Sequence, residues 1–240
     1  MMKSQTILIT GASHGIGREL AILLARQNKV IALGRDRQAL TDLQNLYGII
    51  PLVADLENSA QVNNVINTVN ARWQELSVLI NNAGIQQPLQ LSKMDSSAAI
   101  TKEMQINFLA PTILIAGLLP LLQQQYSARV INITSILALS PKQSTPIYNA
   151  SKAALHNLTQ SLRQQLANTT VRVTEVIPPV TQTGLSSADT KNAPSAAWVA
   201  EQILKGLEKQ QNQIAIGQAR LGLWLHRWAP ALLRAKLLNS

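Results

Sequence analysis

The chain has 240 residues and a mass of 26.1 kDa, long enough for one α/β domain with a sizeable core. Hydrophobic residues make up 46% and charged residues only 14%; cysteine is absent, which excludes disulfides and Cys-ligated metal sites and fits a reducing compartment such as the cytoplasm. The net charge is +9, yet there is no Lys/Arg run and few aromatics for stacking, so a nucleic-acid partner is not expected.

The polar start runs directly into an apolar run, Ile7–Ile9, with no secretory leader pattern. That run predicts a first strand, ending at Thr10-Gly11. Arg18–Gln27 reads as a helix. Further strand-length runs follow in order: Val30–Leu33, Ile49–Val53, Val78–Ile80, Val130–Ile133, Val171–Ile177 and a short Ile214–Ile216. Phe108–Leu122 is apolar but interrupted by Pro111 and Pro120, and it falls short of a membrane span, so it reads as a buried helix. Short Val/Ile/Leu-rich strands alternating with helices predict a doubly wound (Rossmann) parallel sheet of about seven strands, covered on both faces. No linker or repeat divides residues 1–217. Ligands of such sheets bind at the C-terminal strand ends, where the small and polar residues of this chain fall.

Between the first strand and the first helix lies Thr10-Gly11-Ala12-Ser13-His14-Gly15-Ile16-Gly17. Glycines there permit a tight turn and close approach of backbone to phosphate, at a helix N-terminus whose unpaired N–H groups favour anions. Its spacing, Gly-x-x-x-Gly-x-Gly, resembles the turn of the short-chain dehydrogenase/reductase family in its classical form. The second strand ends Leu33-Gly34-Arg35. An acid at that strand end would select NAD(H) by holding the ribose 2′-OH, whereas an arginine suits the 2′-phosphate of NADP(H). Gly34 stands at the acid's place and Arg35 follows, with His14 as a second donor, so NADP(H) is favoured over NAD(H). The alternative is that Arg35 is a solvated helix-start residue and Asp36 a helix cap.

Tyr148 and Lys152 stand four apart in a helical segment, hence on one face. A free phenol titrates near 10, and a neighbouring ammonium is expected to pull that value down towards neutrality. Ser135 lies 13 residues upstream, at the end of the fifth strand, and Asn107 lies in an earlier helical segment. The resemblance to the short-chain family covers roughly residues 5–185 and implies a hydride transfer between a nicotinamide and a carbonyl or alcohol carbon. In it Tyr148 would be the acid or base, Ser135 the group that orients the substrate oxygen, Lys152 the ribose anchor, and Asn107 the holder of a water next to the lysine. It further implies that Asp55 contacts the adenine, that Asn82-Ala83-Gly84 line the cofactor site, and that Pro178, Thr181 and Thr183 contact the nicotinamide end. One position departs: Pro179 stands where the family has glycine, which fixes φ and removes an N–H. No metal is implied. A rival reading is a dinucleotide-sensing protein that does little chemistry.

Residues 190–240 carry seven Lys/Arg against two Glu, and Gly217–Ser240 contain no acid. Arg220, Arg227 and Arg234 recur every seven residues beside Leu221, Trp224, Leu225, Trp228, Leu232 and Leu233, a pattern for a basic amphipathic helix. This 218–240 tail is expected to pack on its own domain or a partner subunit, or to lie on a membrane surface, in which case a lipid-like substrate follows. The family resemblance implies a homodimer or homotetramer through Phe108–Leu122 and Ile147–Leu166.

Overall fold

The computed structural model describes residues 2–93, 97–182 and 192–233. Seven parallel strands form one sheet: β1 (Thr6–Thr10), β2 (Lys29–Gly34), β3 (Ile50–Val53), β4 (Leu76–Asn81), β5 (Ala128–Ile133), β6 (Val171–Ile177) and β7 (Gln213–Ala215). Each apolar run of the sequence lies within or across one of these strands. Their spatial order is β3-β2-β1-β4-β5-β6-β7. The chain winds outward from β1 to β3, then returns to place β4 on the other side of β1. That reversal opens a crevice at the C-terminal ends of β1 and β4, where such sheets bind ligands.

The inner strands are largely apolar on both faces because both faces are covered. Leu8, Leu79 and Val130 point into one core, beneath α3 (Ser59–Arg72) and α5 (Ala110–Gln123). Ile7, Ile9, Val78 and Ile80 point into the other, beneath α1 (Gly15–Ala25), α2 (Arg37–Tyr47) and α7 (Ala196–Glu208). Side chains caps fix the helix starts: Asp36 accepts the N–H of Ala39 at the head of α2, and Asn58 accepts those of Ala60 and Gln61 at the head of α3.

The apolar helix expected over Phe108–Leu122 is longer than its sequence suggests. It continues α4 (Ser97–Met104) through a π-turn at Gln105–Leu109 into α5. Pro111 follows directly on the π-turn and Pro120 lies close to the helix end, so each removes one backbone N–H from the helical run. The run Ser97–Gln123 is long and apolar enough to cross a membrane, but half of its most apolar stretch is buried in the fold, as a core helix requires. Two further helices flank the site. α6 (Pro146–Gln165) packs beside β6, and α8 (Gln218–Trp228) rests on the short turn Ile136–Ala138 that follows β5.

α3 and α5 approach closely at Gly117, where an added Cβ would stand 2.7 Å from Ile66 Cδ1. Gly117→Ala is expected to lower the unfolding free energy by about 1–3 kcal/mol through overpacking. Adding Ile66→Ala should recover part of that loss, measured by urea unfolding of the single and double variants.

Candidate active site

The glycine turn is built by close contacts that no side chain could share. Gly11 and Gly15 have φ of 65° and 57°, the left-handed region glycine occupies without strain. At Gly17 a Cβ would lie 2.3 Å from the Gly11 carbonyl oxygen. Thr10 and Asn82 then tie this turn to the end of β4. The Thr10 hydroxyl accepts the N–H groups of Asn82 and Ala83, both at 3.0 Å, and the Asn82 amide donates to the carbonyls of Thr10 and Gly11 at 3.0 and 3.2 Å. α1 starts at this turn with no side chain capping it, and half-buried Ile16 lies in its first turn. The Ser13 hydroxyl, buried beside the turn, has no hydrogen-bond partner. Uncapped helix N–H groups, a backbone cradle that Cβ atoms would fill and an orphaned buried hydroxyl together fit a dinucleotide phosphate.

The corner at the end of β2 is more crowded than the sequence suggests. A Cβ on Gly34 would stand 2.2 Å from Ser13 Oγ, so no acid fits there while Ser13 keeps its position. Arg35 is exposed. Asp36 caps α2 and also accepts from His14 Nε2 at 2.9 Å. The Ala39 N–H, and then His14, hold the Asp36 carboxyl below its usual range. His14, read from the sequence as a free donor, is therefore engaged with a carboxylate. Asp55, just past β3, accepts the N–H of Glu57 at 2.9 Å and donates its own N–H to Gln61.

The four residues singled out for chemistry meet beside this turn. Asn107 lies in the π-turn, fully buried, and its side chain accepts from Ile85 N and donates to Ile85 O, both at 2.8 Å. The same amide donates to Ser151 Oγ, which in turn donates to the Tyr148 carbonyl. Lys152 Nζ donates to the Ile133 carbonyl at 2.9 Å and stands 5.8 Å from the centre of the Tyr148 ring. Gly84 leaves room for this cluster, since its Cβ would lie 3.3 Å from Asn107 Oδ1 and 3.4 Å from Lys152 Nζ. Ser135 caps the turn Ile136–Ala138 by accepting the Leu137 N–H, and its hydroxyl near Tyr148 favours the phenolate.

Electrostatics overturn one expectation. Tyr148 and Lys152 are 5% and 3% exposed. Burial pushes the Tyr148 phenol up to about 12, against a lowering by the Ser135 hydrogen bond, while the nearby Glu103 charge adds to the rise. The ammonium does not pull the phenol towards neutrality, because the same burial drives Lys152 itself down to about 8. Glu103, on α4, was not singled out from the sequence. It is 1% exposed, and burial raises it to about 7. Its signal was available: it precedes Asn107 by four residues, one helical turn.

At the end of β6, Thr181 is buried and donates its hydroxyl to the Pro179 carbonyl at 2.8 Å. Pro178 is half-buried beside it. The Pro179 ring faces Gly217, at the head of α8, where a Cβ would be 3.8 Å away. Thr183 and Arg234 lie outside the described residues. Among the described residues, no group of three or more His, Asp or Glu side chains could hold a metal ion.

Residues 5–194 match the family model described as short chain dehydrogenase. An oxidoreductase of Bacillus subtilis (strain 168) named DltE, itself described as uncharacterized, is 36% identical over 222 residues, covering 89% of this chain and 88% of its own. A short chain dehydrogenase from Burkholderia cenocepacia J2315, solved in complex with NADP, superimposes with a TM-score of 0.86 at 26% identity and covers 99% of both chains. A short chain dehydrogenase/reductase from Burkholderia phymatum, solved in complex with NAD, superimposes with a TM-score of 0.84 at 21% identity, a likeness of fold alone; it covers 100% of this chain and 98% of its own. The doubly wound sheet, the glycine turn welded to β4 and these matches agree: the chain belongs to the short-chain dehydrogenase/reductase family.

Proposed function

We propose that the protein is an NADP(H)-dependent carbonyl reductase or alcohol dehydrogenase acting on a small molecule, with Tyr148 as its proton donor and acceptor. The observation that carries this reading is the convergence of half-buried Ser135 with buried Tyr148 and Lys152 beside the phosphate-binding turn. NADP(H), when bound, supplies or takes up the hydride at its nicotinamide. The turn Gly11–Gly17 would hold its phosphates, Asp55 its adenine, and Asn82, Ala83, Gly84, Lys152, Pro178 and Thr181 its riboses and nicotinamide end. Ser135 orients the substrate oxygen towards Tyr148. A phenol held near 12 keeps its proton at neutral pH, which suits donation to a carbonyl oxygen as it becomes a hydroxyl. Arg35, exposed at the end of β2 beside side-chain-less Gly34, supports the preference for a 2′-phosphate. The outer faces of α5 and α6 are the surfaces through which two copies would pair.

A second reading concerns place. On α8 the outward stripe Leu221, Trp224 and Trp228 is exposed, the tryptophans by 58% and 67%, and Leu232 extends it. Arg220 and Arg227 flank this stripe, and no acid occurs from Gly217 onward. Such a helix suits an anionic membrane surface, and its seat on Ile136 beside Ser135 would then favour a lipid-like carbonyl.

Tyr148→Phe should reduce turnover of a carbonyl panel by at least about 100-fold while leaving NADPH affinity within about twofold. Retained turnover refutes the proton role. Arg35→Ala should weaken NADPH binding roughly tenfold and leave NADH binding unchanged, read by fluorescence titration; equal effects on both would remove the cofactor preference. Lys152→Met should abolish turnover yet raise stability at pH 6 by about 1–3 kcal/mol, because below pH 8 the wild type buries an ammonium that the unfolded chain leaves in water. That gain should disappear as pH rises through 8 to 10, followed by thermal unfolding. Full-length protein should float with vesicles containing anionic phosphatidylglycerol, and a Trp224→Ser/Trp228→Ser variant should lose about tenfold or more of that binding. Equal flotation of the two sinks the membrane reading.

A further inference from the structure

Glu103 has no part in the proton chemistry described so far, yet it is placed to control it. Its Oε1 accepts the Gln87 N–H at 3.2 Å, one helical turn before Asn107 grips Ile85 by both its N–H and its carbonyl. Two side chains of one helix therefore hold the segment Ile85–Gln87, which follows Gly84 at the floor of the pocket. Gly84 itself faces Lys152 Nζ. Of the titratable groups on the elements packed against Glu103, those that feel its charge are Lys152 and Tyr148, both on α6. Lys102, its neighbour in sequence, turns away to pair with Glu57 at 2.7 Å.

Holding a loop N–H does not need a charge; a glutamine would accept the same hydrogen bond. Burying a carboxyl is costly unless its charge is used or neutralised. Among the described residues the buried ammonium of Lys152 donates only to the Ile133 carbonyl, so a countercharge is what this site lacks without Glu103.

We propose that Glu103 is a positioning residue, the buried countercharge that keeps Lys152 an ammonium, strong when ionised and released when protonated. Its effects on turnover and on NADPH binding rest on the function proposed above; its effect on the charge of Lys152 does not. Burial raises Glu103 to about 7, and its charge in turn raises Lys152, so the coupling operates above neutrality and fades below it.

The test compares wild type with Glu103→Gln by NADPH fluorescence titration from pH 5.5 to 9.5. Below about pH 6 the two should bind alike, since an amide and a protonated acid carry the same charge. Above pH 7 the affinity of Glu103→Gln should fall at a pH roughly one unit lower than wild type, and Glu103→Asp should restore most of the wild-type curve. Coincident curves, or a weakening by the same factor at every pH, overturn the proposal, because the first shows no coupling and the second only altered packing. Should Glu103→Gln fail to fold, Lys152→Met carries the same test through the thermal midpoint. A buried carboxyl raised in pKa makes stability fall as pH rises from about 5 to 7. Without the ammonium that fall should deepen and extend past pH 7; an unchanged curve over this window overturns the countercharge. If the carbonyl panel shows no turnover while these shifts appear, the proposed function fails and the countercharge stands.

Discussion

The junction between Thr10 and Asn82 is the constraint on which the site depends. β1 and β4 are neighbours only because the winding of the sheet reverses between them, and at their C-terminal ends backbone polar groups would otherwise lack partners. One hydroxyl accepts two N–H groups there, and one side-chain amide donates to two carbonyls. This fixes the glycine turn against Asn82-Ala83-Gly84. Gly11 and Gly17 lack side chains because the two segments touch at that point. That half of the crevice is thus braced by four hydrogen bonds.

The other half is held by a second polar chain. Asn107 fixes Ile85 just past that junction and reaches Ser151 on α6, so the helix that carries Tyr148 and Lys152 is tied to the same loop. The π-turn at Gln105–Leu109 interrupts an otherwise continuous helical run at that residue, as such turns often do near functional groups. Buried polar networks of this kind are stable only when nearly every member is satisfied. The cost is concentrated on Lys152, whose ammonium is taken out of water, and on Glu103, whose carboxyl is taken out beside it. Both positions therefore cost stability unless the two charges offset each other.

Much of this was legible in the chain itself. Period and composition placed all seven strands, because the inner strands, covered on both faces, are largely apolar and the edge strands β3 and β7 keep short apolar runs. The glycine turn and the Tyr148–Lys152 spacing were legible for a similar reason: each is local, within one turn or one helix. Ser135 and Asn107 could be named from the family pattern, but not their bonds. What stayed hidden was non-local. Ser13 filling the space beside Gly34, and His14 turning to Asp36, depend on two loops brought together by the sheet. Glu103 escaped notice because a lone glutamate on a helix ordinarily lies in solvent, and only packing against α6 buries it.

The sequence by itself determined the winding of the sheet, the position of the glycine turn and the identity of the polar side chains that meet beside it. Those follow from periodicity, from glycine's freedom of φ and from side-chain chemistry, all of which are properties of short segments. The tertiary structure alone decided the charge states. Whether Tyr148 keeps its proton, whether Lys152 holds its own, and whether Glu103 is an acid or an anion at neutral pH depend on how much water the fold removes from each and on which charges it leaves nearby. The lysine one turn from the tyrosine marks the site in the chain; the burial they share sets what that pair can do.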